Sequence, residues 1–198
     1  AFAEAGLTAN VFLDLNNGMN RTGHPLNELA FDTYKNISTI DHLSMAGLHV
    51  YDGHIRNSVY EERKKESDMA LLPVYELIEQ IAAAGLPKPE VITGGSPSFT
   101  SAALRAEFYC SPGTTLLWDS GYSQIVRELD LQCAAVLMTR VISKPAEGLI
   151  TTDLGHKSVA AENTIDKRIS FLNLADYQPV GQSEEHLVLR VKDWASIQ

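Results

Sequence analysis

Glu90-Val91-Ile92-Thr93-Gly94-Gly95-Ser96-Pro97-Ser98 is the stretch that sets the architecture. A short β-branched run ends in two glycines, followed by a capping serine and a proline suited to a first helical turn. That order describes a strand-to-helix turn and predicts a strand over 90–93 and a helix over 98–107. Glycine lets a ligand approach the backbone, and the N–H groups that open a helix attract anions. Gly94, Gly95 and Ser96 therefore form a candidate phosphate cradle. The same residues also make a plain, well-capped βα turn.

Cys110-Ser111-Pro112-Gly113-Thr114 has the same character. With a strand expected over 115–118, it adds Gly113 and Thr114 to one shared anion site. Upstream, Val11–Leu15 reads as a strand broken by Asn16-Asn17-Gly18, and Leu26–Lys35 as a helix with Pro25 in its first turn. Leu43–Tyr51 reads as a strand ending at Asp52-Gly53. A long helix is expected over 61–84, its apolar stripe formed by Met69, Leu72, Tyr75, Ile78, Ile81 and Ala82, with Gly85 as its stop. A last short helix is expected over 122–129.

Alternating strands and helices predict an α/β fold with a parallel sheet. Residues 1–132 read as part of a (β/α)₈ (TIM-type) barrel, because a closed barrel needs eight strands and about 250 residues. From residue 133 the texture changes. Strand-like runs over 134–142, 148–152 and 186–191 have little helical pattern between them, so 133–198 reads as the start of an all-β domain. A chain that opens on Ala1 and stops just after a strand-like run is expected to be a fragment.

Composition narrows the function classes. The 198 residues carry 16 basic and 25 acidic side chains, a net charge of −9, which argues against nucleic acid. No apolar run is long enough for a membrane span. Two cysteines, Cys110 and Cys133, read as free thiols of a reducing, cytoplasmic protein. Asp153, His156, Glu185 and His186 match no metal-ligand spacing. The charged run from Glu61 to Glu66 reads as a solvated helix start, and Lys157 as structural. The chain has no nucleophile elbow, Walker loop or Cys-x-x-Cys pair. Arg21, in the loop after the first strand, and Tyr51, Asp52 and His54, after the next, lie where barrel strands deliver catalytic groups.

These segments occur in a familiar order. Val11–Gly23 with Arg21, Gly47–His54 with Tyr51, Thr93–Pro97, Pro112–Thr114 and Thr151–Lys157 together resemble the pyridoxal-phosphate enzymes of the alanine racemase fold. Tyr51–His54 and Ser183–His186 look most like the D-threonine aldolase and D-serine dehydratase group. The resemblance implies pyridoxal 5'-phosphate as cofactor. Arg21 would hold its phenolic oxygen and Tyr51 would flank its ring. Gly94, Gly95, Ser96, Gly113 and Thr114 would cradle its phosphate. Tyr51 and His54 are the candidate catalytic residues, with Asp52 near the substrate side. Ser111 stands where racemases carry the arginine that faces the pyridine nitrogen, which weakens a racemase reading. None of the eight lysines follows a suitable strand, so the resemblance places the Schiff-base lysine upstream. The ligands for a divalent metal (Mn, Mg or Zn) are expected beyond residue 198.

The implied activity is a lyase that splits D-3-hydroxy amino acids into glycine and an aldehyde, in a homodimer, with this piece inactive alone. The alternatives are a D-serine dehydratase, a racemase of the same fold, a non-catalytic pyridoxal-phosphate homeostasis protein and a phosphate-binding barrel enzyme without that cofactor.

Overall fold

A computed structural model describes residues 2–197. The chain forms two compact units, Ala1–Ala134 and Ala135–Gln198.

The first unit is a parallel sheet with helices on one face. Its strands are β1 (Ala9–Asn16), β2 (His24–Pro25), β3 (Leu43–His49), β4 (Glu90–Thr93) and β5 (Phe108–Cys110), in the order β2-β1-β3-β4-β5. Every pairing is parallel. Helices α1 (Leu29–Ser38) and α2 (Tyr60–Ala83) are crossover connections. Side chains alternate across a strand, so each strand offers one set of residues to the helices and the other to the opposite face. Leu13, Leu15, Leu48, Val50, Val91 and Phe108 pack with Ala30, Tyr34, Leu71, Val74, Leu77 and Ile81 in one buried core. Gly47 keeps the sheet closed at its centre, because a Cβ there would stand 2.0 Å from the Glu90 carbonyl oxygen.

Several elements differ from the sequence expectation. Helix α1 starts three residues late, because Pro25 pairs with β1 in β2 and the Asn27 side chain accepts the Leu29 N–H. The helix expected over 98–107 shrinks to α3 (Phe99–Ala102). There Ser98 and Ser101 turn their hydroxyls onto carbonyls three residues back, and Arg105 takes the Ser101 carbonyl. The strand expected over 115–118 is a 3-10 turn at Thr114–Leu116, with Trp118 at φ 57°. The parallel strand that follows β4 is instead β5, whose three residues are too few to show a pattern. The expected 122–129 helix is α4 (Ser120–Ile125), capped by the Asp119 side chain.

Helix α2 buries only part of the stripe expected. Ile81 is buried and Tyr75 and Ile78 pack against the core as expected, but Leu71, Val74 and Leu77 face it in place of Met69 and Leu72, which are more than half exposed. Both stripes are apolar, and periodicity alone cannot choose between them. Its first turns correct a second expectation, since Arg63 is only 1% exposed. The Arg63 guanidinium pairs with Glu128 and donates to the carbonyls of Asn57 and Ile125. Burial pushes the Glu128 carboxyl up, but hydrogen bonds from Arg63 and Thr100 outweigh this and hold it below its ordinary value.

The second unit is an antiparallel sheet ordered β6-β7-β9-β8, from β6 (Val141–Ala146), β7 (Leu149–Thr152), β8 (Tyr177–Gln182) and β9 (Leu187–Val191). Ile150, Leu154, Leu187, Leu189 and Val191 form its core. The strand expected over 134–142 is regular only from Val141. Strand β8, absent from the sequence reading, contains Pro179 and Gly181, which the edge position and the register shift between them accommodate.

Arg63→Met leaves Glu128 without its buried partner. Urea unfolding is expected to show a loss of about 2–3 kcal/mol, at the low end for buried pairs because Glu128 keeps some contact with water. A carboxyl lowered in the folded state stabilises at pH above its unfolded value, and that contribution disappears as pH falls through the folded value. Acid titration of stability should therefore flatten in Glu128→Gln.

Candidate functional site

The C-terminal ends of β1, β3, β4 and β5 carry the residues singled out above. After β1 the chain folds on Asn16, whose Oδ1 accepts the N–H groups of Gly18 (3.1 Å) and Asn20 (2.9 Å). This brings the Arg21 guanidinium over the Tyr51 ring, 4.7 Å from its centroid. Tyr51 follows β3 and lies against the next turn. A Cβ on Gly95 would stand 2.8 Å from its ring, which is why that position has no side chain.

Asp52 fixes the contact. Its buried Oδ1 accepts the Gly95 N–H at 2.9 Å, and its Oδ2 is buried with no partner among the described residues. One turn further on, buried Ser96 accepts the Thr114 N–H at 3.0 Å. The Ser111 N–H donates to the Thr93 carbonyl at 3.1 Å. The two glycine-containing turns therefore meet. Gly94 is required at the junction by its φ of 69° and by Ala102, 2.6 Å from any Cβ placed there.

The structure thus brings together Arg21, Tyr51, Gly94, Gly95, Ser96 and Thr114, with Gly113 in the same turn as Thr114. It also shows how their hydrogen bonds are spent. The Gly95 amide serves Asp52 and the Thr114 amide serves Ser96. The N–H groups of Ser96 and Gly113 donate to no protein group among the described residues. With α3 only four residues long, the turns offer an anion amides and hydroxyls more than a helix dipole. His54 is exposed at the rim beside the β1 loop, where a Cβ on Gly18 would meet its Nε2 at 2.8 Å.

Cys110 lies beneath the turn, its thiol directed at the Phe99 carbonyl. Burial and then the Asp52 charge push this thiol up, which favours the neutral form. Neither Cys110 nor Cys133 is in a disulfide. Among the described residues no group of three or more His, Cys, Asp or Glu side chains is placed to hold a metal. Asp153 instead accepts from Thr139 and the Arg140 N–H, and Lys157 pairs with Glu184 and Glu185.

Two features escaped the sequence reading. The Asn17 amide is buried with neither end partnered. Asp14 and His49, paired across β1 and β3, form a 2.6 Å contact on the sheet face away from the helices. Strand alternation places each on that face, but only the register of β1 against β3 sets them side by side.

Residues 134–198 match the family model described as putative serine dehydratase domain. The chain is 24% identical over 200 residues to 3-hydroxy-D-aspartate aldolase of Paracoccus denitrificans (strain Pd 1222), covering 95% of this chain and 50% of that protein. The structure superposes on D-threonine aldolase from Filomicrobium marinum with a TM-score of 0.87 and 24% identity, over 98% of this chain and 52% of that one. For D-threo-3-hydroxyaspartate dehydratase from Delftia sp. HT23 the values are 0.71, 16%, 98% and 55%. For alanine racemase of Clostridium difficile 630 they are 0.61, 16%, 96% and 52%. The chain spans about half the length of the curated relative it matches.

Asp52→Ala strands the Gly95 N–H in a buried position. The expected cost is about 1–3 kcal/mol, with faster amide exchange confined to the 94–97 turn. Among the described residues no helix is long and apolar enough to cross a membrane. The chain shares its fold with about half the length of proteins of the alanine racemase fold, and its residues 134–198 match the family model described as putative serine dehydratase domain.

Proposed function

We propose that this chain is part of a pyridoxal-phosphate-dependent lyase acting on D-3-hydroxy amino acids, with residues 1–132 supplying part of the cofactor barrel and 133–198 part of the β-domain. The observation that carries this reading is the Ser96–Thr114 hydrogen bond, which joins two turns with unspent amides at Ser96 and Gly113. The residues fit the cofactor. Gly95 leaves room that Tyr51 fills with a flat face, and Arg21 offers a guanidinium above that face. The unpartnered Asp52 Oδ2 and Asn17 amide leave polar capacity near the same loops.

In this reading Gly94, Gly95, Ser96, Gly113 and Thr114 shape the phosphate seat, with Asp52 holding the Gly95 turn in place. Tyr51 flanks the ring and orients it. Arg21 holds the phenolic oxygen with a planar, permanently charged fork. His54, exposed at the rim, accepts the proton of the substrate hydroxyl. Bound there, pyridoxal phosphate supplies an electron sink for cleavage next to the amino-bearing carbon.

Relatives named for aldolase action on 3-hydroxy-D-aspartate and on D-threonine support carbon–carbon cleavage. A dehydratase relative keeps elimination of the hydroxyl as the second reading. A divalent metal, with ligands outside this chain, and a homodimer follow from the family resemblance. The unpaired cysteines support a reducing compartment such as the cytoplasm.

The complete gene product is expected to gain an absorbance band with pyridoxal phosphate that borohydride removes. It should release glycine from D-threonine or D-3-hydroxyaspartate and lose this activity with chelator. Keto-acid and ammonia as products would favour the dehydratase, and no cofactor band would end the proposal. Arg21→Ala should weaken cofactor binding roughly 10–100-fold, the loss of one or two charge-assisted hydrogen bonds.

A further inference from the structure

His49 and Asp14 are register partners at adjacent positions of β3 and β1, and His49 Nδ1 lies 2.6 Å from Asp14 Oδ1. Their neighbours Leu13, Leu15, Leu48 and Val50 belong to the helix-packed core, so alternation turns both side chains onto the opposite face. Tyr51 lies two residues beyond His49, just past the end of β3, where the Val50 N–H still pairs with the Ile92 carbonyl. Two residues of strand rise about 6.6 Å, a gap that a six-membered ring and one substituent oxygen can bridge.

The pair is half-buried, with side-chain exposures of 37% for His49 and 41% for Asp14. The Asp14 carboxylate can accept only from an Nδ1 that carries hydrogen, which in the neutral ring leaves Nε2 with its lone pair. Nε2 has no hydrogen-bond partner among the described residues. An imidazole oriented by a carboxylate, with its second nitrogen unspent, is the arrangement of a positioned proton acceptor.

We propose that His49, held by Asp14, exchanges a proton through Nε2 with the ring oxygen that Arg21 faces, so that this pair sets the protonation of the bound ring ligand. The inference rests on the pyridoxal-phosphate reading of the site. In the accepting direction the oxygen–hydrogen bond breaks and its electron pair stays on oxygen. The Nε2 lone pair forms the new N–H bond. The Asp14 carboxylate offsets the imidazolium charge and the Arg21 guanidinium offsets the phenolate. Reversal restores both groups, so no further reactant is consumed. His49 is the catalytic member and Asp14 the positioning one.

Two measurements on the complete gene product test this. The first needs no cofactor. Nitrogen-15 spectra of the protein, with His49 assigned by its loss in His49→Gln, should show neutral His49 protonated on Nδ1. Asp14→Leu should abolish that preference, and Asp14→Glu should restore part of it. A wild-type His49 protonated on Nε2 would overturn the proposal.

The second is the absorbance of bound pyridoxal phosphate at one fixed pH. The ratio of its phenol and phenolate bands should change several-fold in His49→Gln and Asp14→Leu, with cofactor affinity changed less than in Arg21→Ala. Identical bands in all three proteins, with cofactor bound, overturn the role of the dyad and leave the cofactor reading standing. Failure of the wild type to bind pyridoxal phosphate overturns the cofactor reading and this proposal with it, while the tautomer result still reports on Asp14.

Discussion

A buried carboxylate facing a backbone amide holds the site together. Asp52 follows β3, Gly95 follows β4, and the 2.9 Å bond between them fixes one strand end against the other. Without its acceptor, the Gly95 N–H would be a buried donor with nothing to replace it. With the bond made, the Tyr51 ring is pinned on the glycine, and Ser96 is carried to where it meets the Thr114 amide. The two turns share one location because the sheet beneath them is parallel and the helices on its far face supply the burial. Leu48 and Val50, buried beside His49 and Tyr51, link that core directly to the residues on the open face.

The parts of the fold legible in the sequence were those with strong punctuation. The 90–93 strand is legible to the residue because β-branched residues run straight into Gly94-Gly95, and the long helix stops just before Gly85. Turns with several solutions were not legible. Ser98 and Ser101 could have continued a helix, but their hydroxyls compete for the same carbonyls. Strand β5 lasts three residues, too short for alternation to register, so the expected strand fell on the more apolar 115–118. On α2 the apolar residues cover more than one face, and which face is buried depends on the sheet it meets.

Site residues divide in a similar way. Arg21, Tyr51 and the two glycine turns could be proposed because their types and their order along the chain carry information. What binds them to one another could not be, since Asp52 to Gly95 and Ser96 to Thr114 are contacts between elements. The Asp14–His49 pair is a case between the two. Each residue sits inside a run that reads as an ordinary strand, and only the parallel register of β1 and β3 puts the imidazole beside the carboxylate. Arg63 marks the opposite error. It looked like one charge in a solvated run, yet its side chain fills a slot lined by carbonyl groups.

If the turns after β4 and β5 seat an anion as proposed, their main-chain amides have a bearing on how such a protein diversifies. Main-chain amides are present whatever residue occupies a position, so most side chains of these turns could then change without loosening that hold. Gly94, Gly95 and Ser96 are the fixed points. New specificities could then arise through other side chains at the rim, while the main-chain framework of the two turns stays the same.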